Sequence, residues 1–303
     1  MRRILVIKLG ALGDMVLASG AFEAIRSHHQ GDHRVLLTTA PYAGFATAGG
    51  WFHEVWLDER PPAWRLDLWC SQARRLRAGR FKRVYDLQHA TRTHMYYGLM
   101  GRPEWSGIAP GCSHPHANRL RDSMHTVERE AEQLAMAGIA ATPGPDISWL
   151  QADIAGLRPD GRFALLVPGG SAHRPEKRWP ADHFAAAAVA LAGQGIRSVL
   201  IGGAAERDAL DTIARACPDA VDLAGRTSFA EIAALGRAAA VAVGNDTGPM
   251  HLITLAGCPS VVLFSAASDP VLTAPRGPAV DIVQRSTLTE LAVGDVLNHL
   301  NPR

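Results

Sequence analysis

Four polar residues interrupt an apolar stretch late in the chain, GNDTGPMHLITLAGCPSVVLF. Asp246, Thr247, Gly248 and His251 follow one apolar run and precede the next. If a helix begins here, its free N–H groups and positive end suit a phosphate, to which Thr247 and His251 could also donate hydrogen bonds. Alternatively, Asp246 or Thr247 only caps the helix, with Pro249 in its first turn. The two roles are compatible, and the motif alone leaves both open.

A second polar segment, VPGGSAHRPEKRWPADHF, follows another apolar run and is rich in basic residues. Lys177 could neutralise a phosphate as a point charge, and Ser171 could donate a hydrogen bond to it. The alternative is a solvated loop that Trp179 docks onto the body of the protein. Two anion-suited loops, each after a strand, are less expected by chance than either alone, so we favour binding.

A single acidic residue, Asp14, follows the first apolar run, in KLGALGDMV. The segment is neither a Gly-x-Gly-x-x-Gly dinucleotide motif nor a P-loop, which would carry Lys-Ser/Thr. A carboxylate at such a strand-to-helix turn could act as a general base. The residues alone favour the simpler interpretation, a carboxylate that the helix dipole stabilises at the first turn.

A basic segment, SQARRLRAGRFKR at 71–83, contains no acidic residue and follows the apolar stretch PPAWRLDLW. Basic and aromatic residues together could dock on an anionic membrane surface, so 64–83 is a candidate membrane contact. The favoured alternative is a solvated helix face. Further along, Arg92 and His94 could contact an anionic acceptor.

Composition excludes several classes of protein. The net charge is +2, which gives no global field for nucleic acid, and 47% of the 303 residues are hydrophobic, as in ordinary globular proteins. None of the 13 histidines has a zinc-binding spacing and the four cysteines form no close pair, so we predict no metal site and a reducing compartment. The chain has no apparent signal peptide and no apolar run of membrane-spanning length, so we expect a cytoplasmic protein.

Strands alternate with helices along the chain, and this alternation begins twice, near residues 3 and 162. The pattern predicts an α/β fold with two doubly wound parallel sheets, and we place the domains at 1–153 and 154–285. The Pro/Gly-rich segment 141–149 is the expected approach to the linker. Ligands of open α/β sheets bind at the carboxyl ends of strands, where every motif above lies, and a cleft between two such domains is the expected site.

The motifs together resemble those of glycosyltransferase family 9, the ADP-heptose:lipopolysaccharide heptosyltransferases. The resemblance rests on ILVIKLGALGDMVLA, VYDLQ, PGGSAHRPEKRWP, LAGRTSFAEIAAL and GNDTGPMHLITLAGCPSVVLF, in that order and spacing. It implies the GT-B fold, two facing Rossmann-like domains, with the acceptor on the first and the nucleotide sugar on the second. It also implies inverting, metal-independent heptose transfer from ADP-heptose to an anionic glycolipid, the lipopolysaccharide core, at the inner face of the inner membrane, with no cofactor. A C-terminal helix in this fold often packs back on the first domain, and 286–303 is the segment expected to do so.

By position, the resemblance makes Asp14 the general base and Lys177 the residue that holds the diphosphate. The donor-binding residues would be Ser171, Lys177, Asp246, Thr247, Gly248 and His251, with Asp222 a candidate by neighbourhood only. The acceptor candidates are Gly13, Arg92 and His94. The acceptor half otherwise departs from the family pattern, so a sibling GT-B enzyme with another nucleotide sugar or acceptor is the alternative.

Overall fold

The computed structural model describes residues 1–170 and 174–303. They divide into two compact units, Met1–Pro145 and Asp146–Arg303. This boundary falls inside the predicted linker approach at 141–149 and before the predicted domain boundary at 153/154. Each unit is a parallel sheet flanked by helices, as the alternation of strand and helix patterns predicts.

The sheet of the first unit has the strand order β3-β2-β1-β4-β5-β6, with every neighbouring pair parallel. Its strands are β1 Arg3–Ile7, β2 His33–Thr38, β3 Glu54–Leu57, β4 Arg83–Asp86, β5 Glu104–Gly107 and β6 His114–Pro115. Its helices are α1 Leu12–Leu17, α2 Ser19–His28, α3 Ala40–Ala48, α4 Leu66–Ala78, α5 Thr91–Leu99 and α6 Thr126–Met136.

The central strand of this sheet, β1, is apolar along its length because helices cover both faces. Ile4 to Ile7 are buried, as the run ILVI predicts for a strand in the middle of a parallel sheet. Trp105 of β5 and Tyr96 of α5 are fully buried and extend the core on one side of the sheet. The apolar core therefore fixes where β1 and β4 end.

The sheet of the second unit repeats this order in its described residues, β12-β11-β10-β7-β8-β9, again all parallel. Its strands are β7 Phe163–Val167, β8 Arg197–Leu200, β9 Val221–Asp222, β10 Val241–Asn245, β11 Ser260–Phe264 and β12 Val280–Gln284. Its helices are α7 Ala181–Ala192, α8 Arg207–Ala216, α9 Phe229–Ala238, α10 Gly248–Leu255, α11 Pro270–Thr273 and α12 Val293–Asn298.

The helices of the second unit begin where local sequence favours a helix start. Ser228 accepts a hydrogen bond from the backbone of Glu231, whose side chain accepts one from the Ser228 backbone, and this is the capping box expected for α9. Pro180 immediately precedes α7. The absence of an N–H group is tolerated there because the N–H groups at a helix start have no partner within the helix.

The C-terminal segment packs into the second unit. Leu288, Leu291 and Val296 are buried in the core of that unit, and α12 packs against α7. The Arg303 side chain donates hydrogen bonds to carbonyls at the ends of α9 and α10. These contacts lie within the second unit.

In both units the strand order reverses at one place, between β1 and β4 and between β10 and β7. Loops that leave neighbouring strands toward opposite sides open a crevice at such a switch point. Asp14 follows β1, Lys177 follows β7, and Asp246 follows β10. The fold therefore places Asp14, Lys177 and Asp246 at the two switch points.

Candidate functional site

The turn after β1 is fixed by hydrogen bonds from three neighbouring segments. The Leu9 N–H donates to Gln88 Oε1 at 2.7 Å, and the Leu9 carbonyl accepts from Thr39 Oγ1 at 3.1 Å and Arg60 Nη2 at 2.8 Å. Gly10 has φ +108°, and a Cβ there would lie 2.1 Å from the Tyr42 ring. A side chain at position 10 is therefore excluded, and the turn is held in one conformation.

Asp14 lies half-buried in the first turn of α1. Its Oδ2 accepts a hydrogen bond from the Ala11 N–H at 3.0 Å, so the helix-terminal role predicted from the residues alone is present. A carboxylate can accept several hydrogen bonds, so this contact leaves Asp14 able to accept a proton from a substrate. Gly13, its neighbour in the same turn, is buried.

The end of β4 and the loop after it carry two titratable groups that the sequence analysis does not single out, the buried Asp86 and the half-buried His89. Burial raises the pKa of the Asp86 carboxyl to about 6, against hydrogen bonds from Thr93 and from the backbone of His89 and Gln88, which lower it. Burial lowers the pKa of His89 to about 3, and the positive charge of Lys8 lowers it further. His89 is therefore neutral near neutral pH, whereas the Asp86 carboxyl is mostly ionised there and takes up a proton near pH 6.

The two acceptor candidates on α5 have different surroundings. The Arg92 guanidinium donates to the Pro61 carbonyl at 3.2 and 3.3 Å and lies 5.1 Å from the centre of the Trp69 ring. His94 Nε2 is buried without a hydrogen-bond partner among the described residues, and its charge lowers the pKa of Asp86. Arg92 thus links α5 to Pro61 and to Trp69 of α4, whereas His94 lies near the end of β4.

The basic segment 71–83 is mostly the exposed face of α4, together with the turn that follows it. Arg75 donates to the Leu57 carbonyl at 2.8 Å, and Arg77 donates to the Leu99 carbonyl at 2.6 Å. Just before these residues, Trp64 is 80% exposed and Leu66 is 72% exposed. Some of the arginines are therefore bound to loops of the first unit, and the apolar side chains project into solvent.

In the second unit, the two anion-suited loops meet in an ion pair. Lys177 Nζ lies 2.8 Å from Asp246 Oδ2, and the side chains are 12% and 10% exposed. Lys177 ends a short 3-10 helix, Pro175–Lys177, in the loop after β7. Ser171 of the same loop lies outside the described residues. The structure thus brings Lys177 and Asp246 together, 69 residues apart in sequence.

A buried amide that the sequence analysis misses, Asn245, ties these two loops to each other. Its Nδ2 donates to the carbonyls of Pro168 at 2.8 Å and Gly169 at 3.1 Å, and its Oδ1 accepts from the Trp179 backbone at 3.0 Å. The Trp179 indole donates to the Leu291 carbonyl at 2.9 Å. The Asn245 side chain thus holds the two loops in a fixed position relative to each other. The feature of the sequence that could have identified Asn245 is its place at a strand end, directly before Asp246.

The helix start beside this pair lacks a side-chain cap in the part of the chain described. Thr247 is the N-cap residue of α10, but its side chain makes no capping hydrogen bond, and Asp246 bonds Lys177 instead. Gly248 is the first residue of the helix, followed by Pro249. His251 is buried one turn further along. Because no described side chain caps the start of α10, this helix start fits the anion-binding alternative better than the capping one.

Asp222 lies apart from the Lys177–Asp246 pair. It ends β9, two strands away from β7, and accepts hydrogen bonds from Arg207 Nη2 at 2.6 Å and the Ala224 N–H at 2.9 Å. These bonds outweigh burial and lower its pKa. Asp222 is therefore a charged carboxylate at the same edge of the sheet, with no contact to the pair among the described residues.

A family model described as glycosyltransferase family 9 (heptosyltransferase) matches residues 69–293 of this chain, which is more than half of its length. The chain belongs to glycosyltransferase family 9.

Relatives within this family are heptosyltransferases by name. The chain is 32% identical over 120 residues to lipooligosaccharide heptosyltransferase 2 of Haemophilus influenzae, covering 38% of this chain and 34% of that protein. It is 31% identical over 123 residues to lipopolysaccharide heptosyltransferase 2 of Salmonella typhimurium, covering 39% and 35%. The aligned part of this family 9 chain thus spans about a third of the length of the curated relatives it matches.

Solved structures share the fold across the whole chain. ADP-heptose lipopolysaccharide heptosyltransferase II of E. coli superposes with a TM-score of 0.78 at 20% identity, covering 99% of this chain and 98% of that one. The family 9 glycosyltransferase of Veillonella parvula gives 0.76 at 21% identity, covering 94% and 86%. At these identities the likeness shows the fold, which is the predicted GT-B fold built from Rossmann-like domains.

Among the described residues, no helix is both long enough and apolar enough to cross a membrane. The same residues contain no cluster of three or more His, Cys, Asp or Glu side chains arranged to hold a metal ion.

Proposed function

We propose that this family 9 enzyme transfers a heptose from ADP-heptose to a lipopolysaccharide core acceptor, with inversion at the anomeric carbon and without a divalent ion. The observation that carries the proposal is the Lys177–Asp246 pair beside the uncapped start of α10. The names of the relatives and of the E. coli structure support the donor and the acceptor class.

The second unit would neutralise the departing diphosphate. Lys177 supplies a positive charge, and the N–H groups of Thr247 and Gly248 point out of the start of α10. Because Asp246 already holds the Lys177 ammonium group, little reorganisation is needed when the leaving group gains charge. Each well-placed donor of this kind contributes about 3 kcal/mol to the transition state. His251, one turn along, would donate to the same anion.

The first unit would activate the acceptor. A sugar hydroxyl is a poor nucleophile, and removal of its proton by Asp14 as the new bond forms would contribute about 10² to 10⁴-fold in rate. The rigid turn at 9–11 fixes the carboxylate, and Gly13, Arg92 and His94 are the proposed acceptor contacts. A single in-line displacement inverts the configuration at the anomeric carbon. It needs one base and no second carboxylate, because no covalent intermediate is formed.

The nucleotide specificity tests this proposal against the sibling-enzyme alternative. Thermal-shift measurements with ADP, UDP and GDP in EDTA should show the largest stabilisation with ADP. ADP-heptose should then be consumed with a deacylated lipopolysaccharide core fragment, also in EDTA. A larger shift with UDP or GDP would favour a different nucleotide sugar, and activity that appears only with magnesium would overturn the metal-independent mechanism.

The acceptor class implies a place of action. We propose that the protein works in the cytoplasm at the inner face of the inner membrane and touches anionic lipid through 64–83, where Trp64 and Leu66 are exposed beside basic side chains. Cosedimentation with phosphatidylglycerol vesicles should fall when Trp64 and Leu66 are both replaced by Ser. Equal binding by the variant would exclude this surface.

A further inference from the structure

A buried ion pair lies next to the turn that carries Asp14. Lys8 Nζ is 2.7 Å from Glu130 Oε1, and the two side chains are 5% and 1% exposed. Lys8 Nζ also donates to the Leu87 carbonyl at 3.0 Å. A buried ion pair is a weak source of stability, since desolvation of both charges offsets their attraction. Its position in the fold is therefore the more informative property.

Both members of the pair flank the Asp14 turn. Lys8 immediately follows β1, and Glu130 lies on α6, which packs against α1. The charge of Asp14 acts on both. Burial works to lower the pKa of Lys8, but the negative charges of Glu130 and Asp14 outweigh it, and the pKa is raised. Burial raises the pKa of Glu130, and the Asp14 charge raises it further.

The effects of the Lys8 and Glu130 charges on Asp14 oppose each other only while both charges are present. Glu130 Oε2 is buried and has no hydrogen-bond partner among the described residues, so Lys8 is the main group that offsets the Glu130 charge. If one member were neutralised, the other would act on Asp14 without compensation.

Other charged or titratable groups face the same region. Arg129 on α6 acts on Lys8 and on Glu130, the Lys8 charge acts on His89 after β4, and the Asp14 charge acts on Tyr42 of α3. Replacing Lys8 also removes one cause of the lowered His89 pKa, so the Lys8 variant is compared with the double variant, which lacks that charge as well.

We propose that Lys8 and Glu130 are positioning residues that set the electric field in which Asp14 takes the acceptor proton. This inference rests on the proposed function of Asp14. In the step itself, the acceptor O–H proton moves to Asp14, the new C–O bond forms at the anomeric carbon, and the bond to the diphosphate oxygen breaks to release ADP. Lys8 and Glu130 neither gain nor lose a proton.

The proposal predicts opposite effects of the two single substitutions. Glu130→Gln leaves the Lys8 cation uncompensated, which favours the Asp14 carboxylate, so the acidic limb of the kcat–pH profile should move to lower pH by about one unit. Lys8→Gln removes the cation and should move the limb to higher pH by a similar amount. The double variant, with neither charge, should return close to the original midpoint.

A second readout follows Asp14 without any substrate. In protein labelled with ¹³C at aspartate, the Cγ signal of Asp14, assigned by its loss in Asp14→Asn, should titrate with the same opposite displacements. If a single Gln variant does not fold, Glu130→Asp can be used instead, because it keeps the negative charge but moves it away from Lys8. The Asp14 titration should then move to lower pH by a smaller amount. The folded double variant is the reference for this comparison.

The control is a buried polar residue of the first unit away from this turn. His29, which bonds Asp32 just before β2, should lower the melting temperature when replaced by Asn without moving the Asp14 titration. Displacements in the same direction for both single variants, or none, would overturn the inference. If Asp14→Asn keeps full transfer activity, the proposed function itself fails, whatever the Asp14 titration shows.

Discussion

Each unit carries an ion pair whose lysine follows the first strand of its sheet, β1 or β7, but the acidic partners lie on different elements and the surroundings differ. Lys8 and Glu130 are 5% and 1% exposed, and Lys8 has a second acceptor in the Leu87 carbonyl. Lys177 and Asp246 are 12% and 10% exposed, and the pair lies beside an uncapped helix start. The same strand order can therefore carry a fully buried ion pair, suited to act on a neighbouring carboxylate, or a partly exposed ion pair, suited to bind an anion.

The largest expected effect separates the chemistry of the first unit from the binding of the second. Asp14→Asn should reduce heptose transfer by about 10² to 10⁴-fold, because the acceptor hydroxyl loses its base. ADP affinity, measured by calorimetry, should stay the same because the second unit is unchanged. A comparable loss of ADP affinity would assign Asp14 to donor binding instead.

The next effect contrasts the two lysines. Lys177→Gln should lower kcat by about 10² to 10³-fold and weaken ADP binding, with a smaller loss of stability than Lys8→Gln because the Lys177–Asp246 pair is the more exposed of the two. Lys8→Gln should instead destabilise the chain by about 3–5 kcal/mol, since it leaves Glu130 buried and unpaired, and should leave ADP affinity intact. Urea unfolding and calorimetry on both variants measure the contrast. If the two lysines gave the same pattern, the distinction between the pairs would be lost.

A smaller effect tests the support of the donor loops. Asn245→Ala leaves the Trp179 N–H and the carbonyls of Pro168 and Gly169 without their partner and should cost about 1–3 kcal/mol of unfolding free energy. Because the loop after β7 also loses its register, ADP affinity should fall. Ser260→Ala, which removes a buried hydroxyl that donates to the Cys258 carbonyl, is the matched control and should leave ADP affinity unchanged.

The smallest effect concerns pH and belongs to the first unit alone. The pKa of His89 is about 3 in the folded chain, below its ordinary value of 6.5, so the unfolded chain binds the proton first as pH falls. The contribution of His89 is complete above about pH 6.5 and is lost as pH falls below it, by about 1.4 kcal/mol per unit. Asp86, whose pKa is raised to about 6, opposes this loss below pH 6.

Replacement of His89 by Asn measures the contribution of this histidine to the pH dependence of stability. Asn tolerates the positive φ of 53° at this position, so the backbone should be retained. Hydrogen exchange of the β1 and β4 amides between pH 6.5 and 5 should show a weaker loss of protection on acidification than in the original chain. An unchanged pH dependence would mean that His89 is charged in the folded state.

Much of the fold follows from sequence because its signals are local. The apolar run at β1, the capping box at Ser228 and the repeated strand–helix alternation all act over a few residues, and the structure confirms the two parallel sheets that they predict. The C-terminal segment was harder to predict, since its packing on α7 depends on which distant apolar surface it meets.

Lys177 and Asp246 stand out in the sequence because each belongs to a motif that follows a strand, and the structure brings them together. Asn245 was missed although it adjoins the motif, because an amide in an apolar strand is not by itself a sign of loop anchoring. Glu130 carries no local signal, since its partner Lys8 is 122 residues away in sequence and only the fold brings them together.

The central claim is that the second unit neutralises the ADP diphosphate with its own groups and without a divalent ion. Calorimetric titration of ADP in EDTA, on the original chain and on Lys177→Gln, tests it most directly. The account predicts binding in EDTA that weakens in the Lys177 variant and is not improved by added magnesium. Binding that requires magnesium, or that is equal in the two proteins, would contradict it.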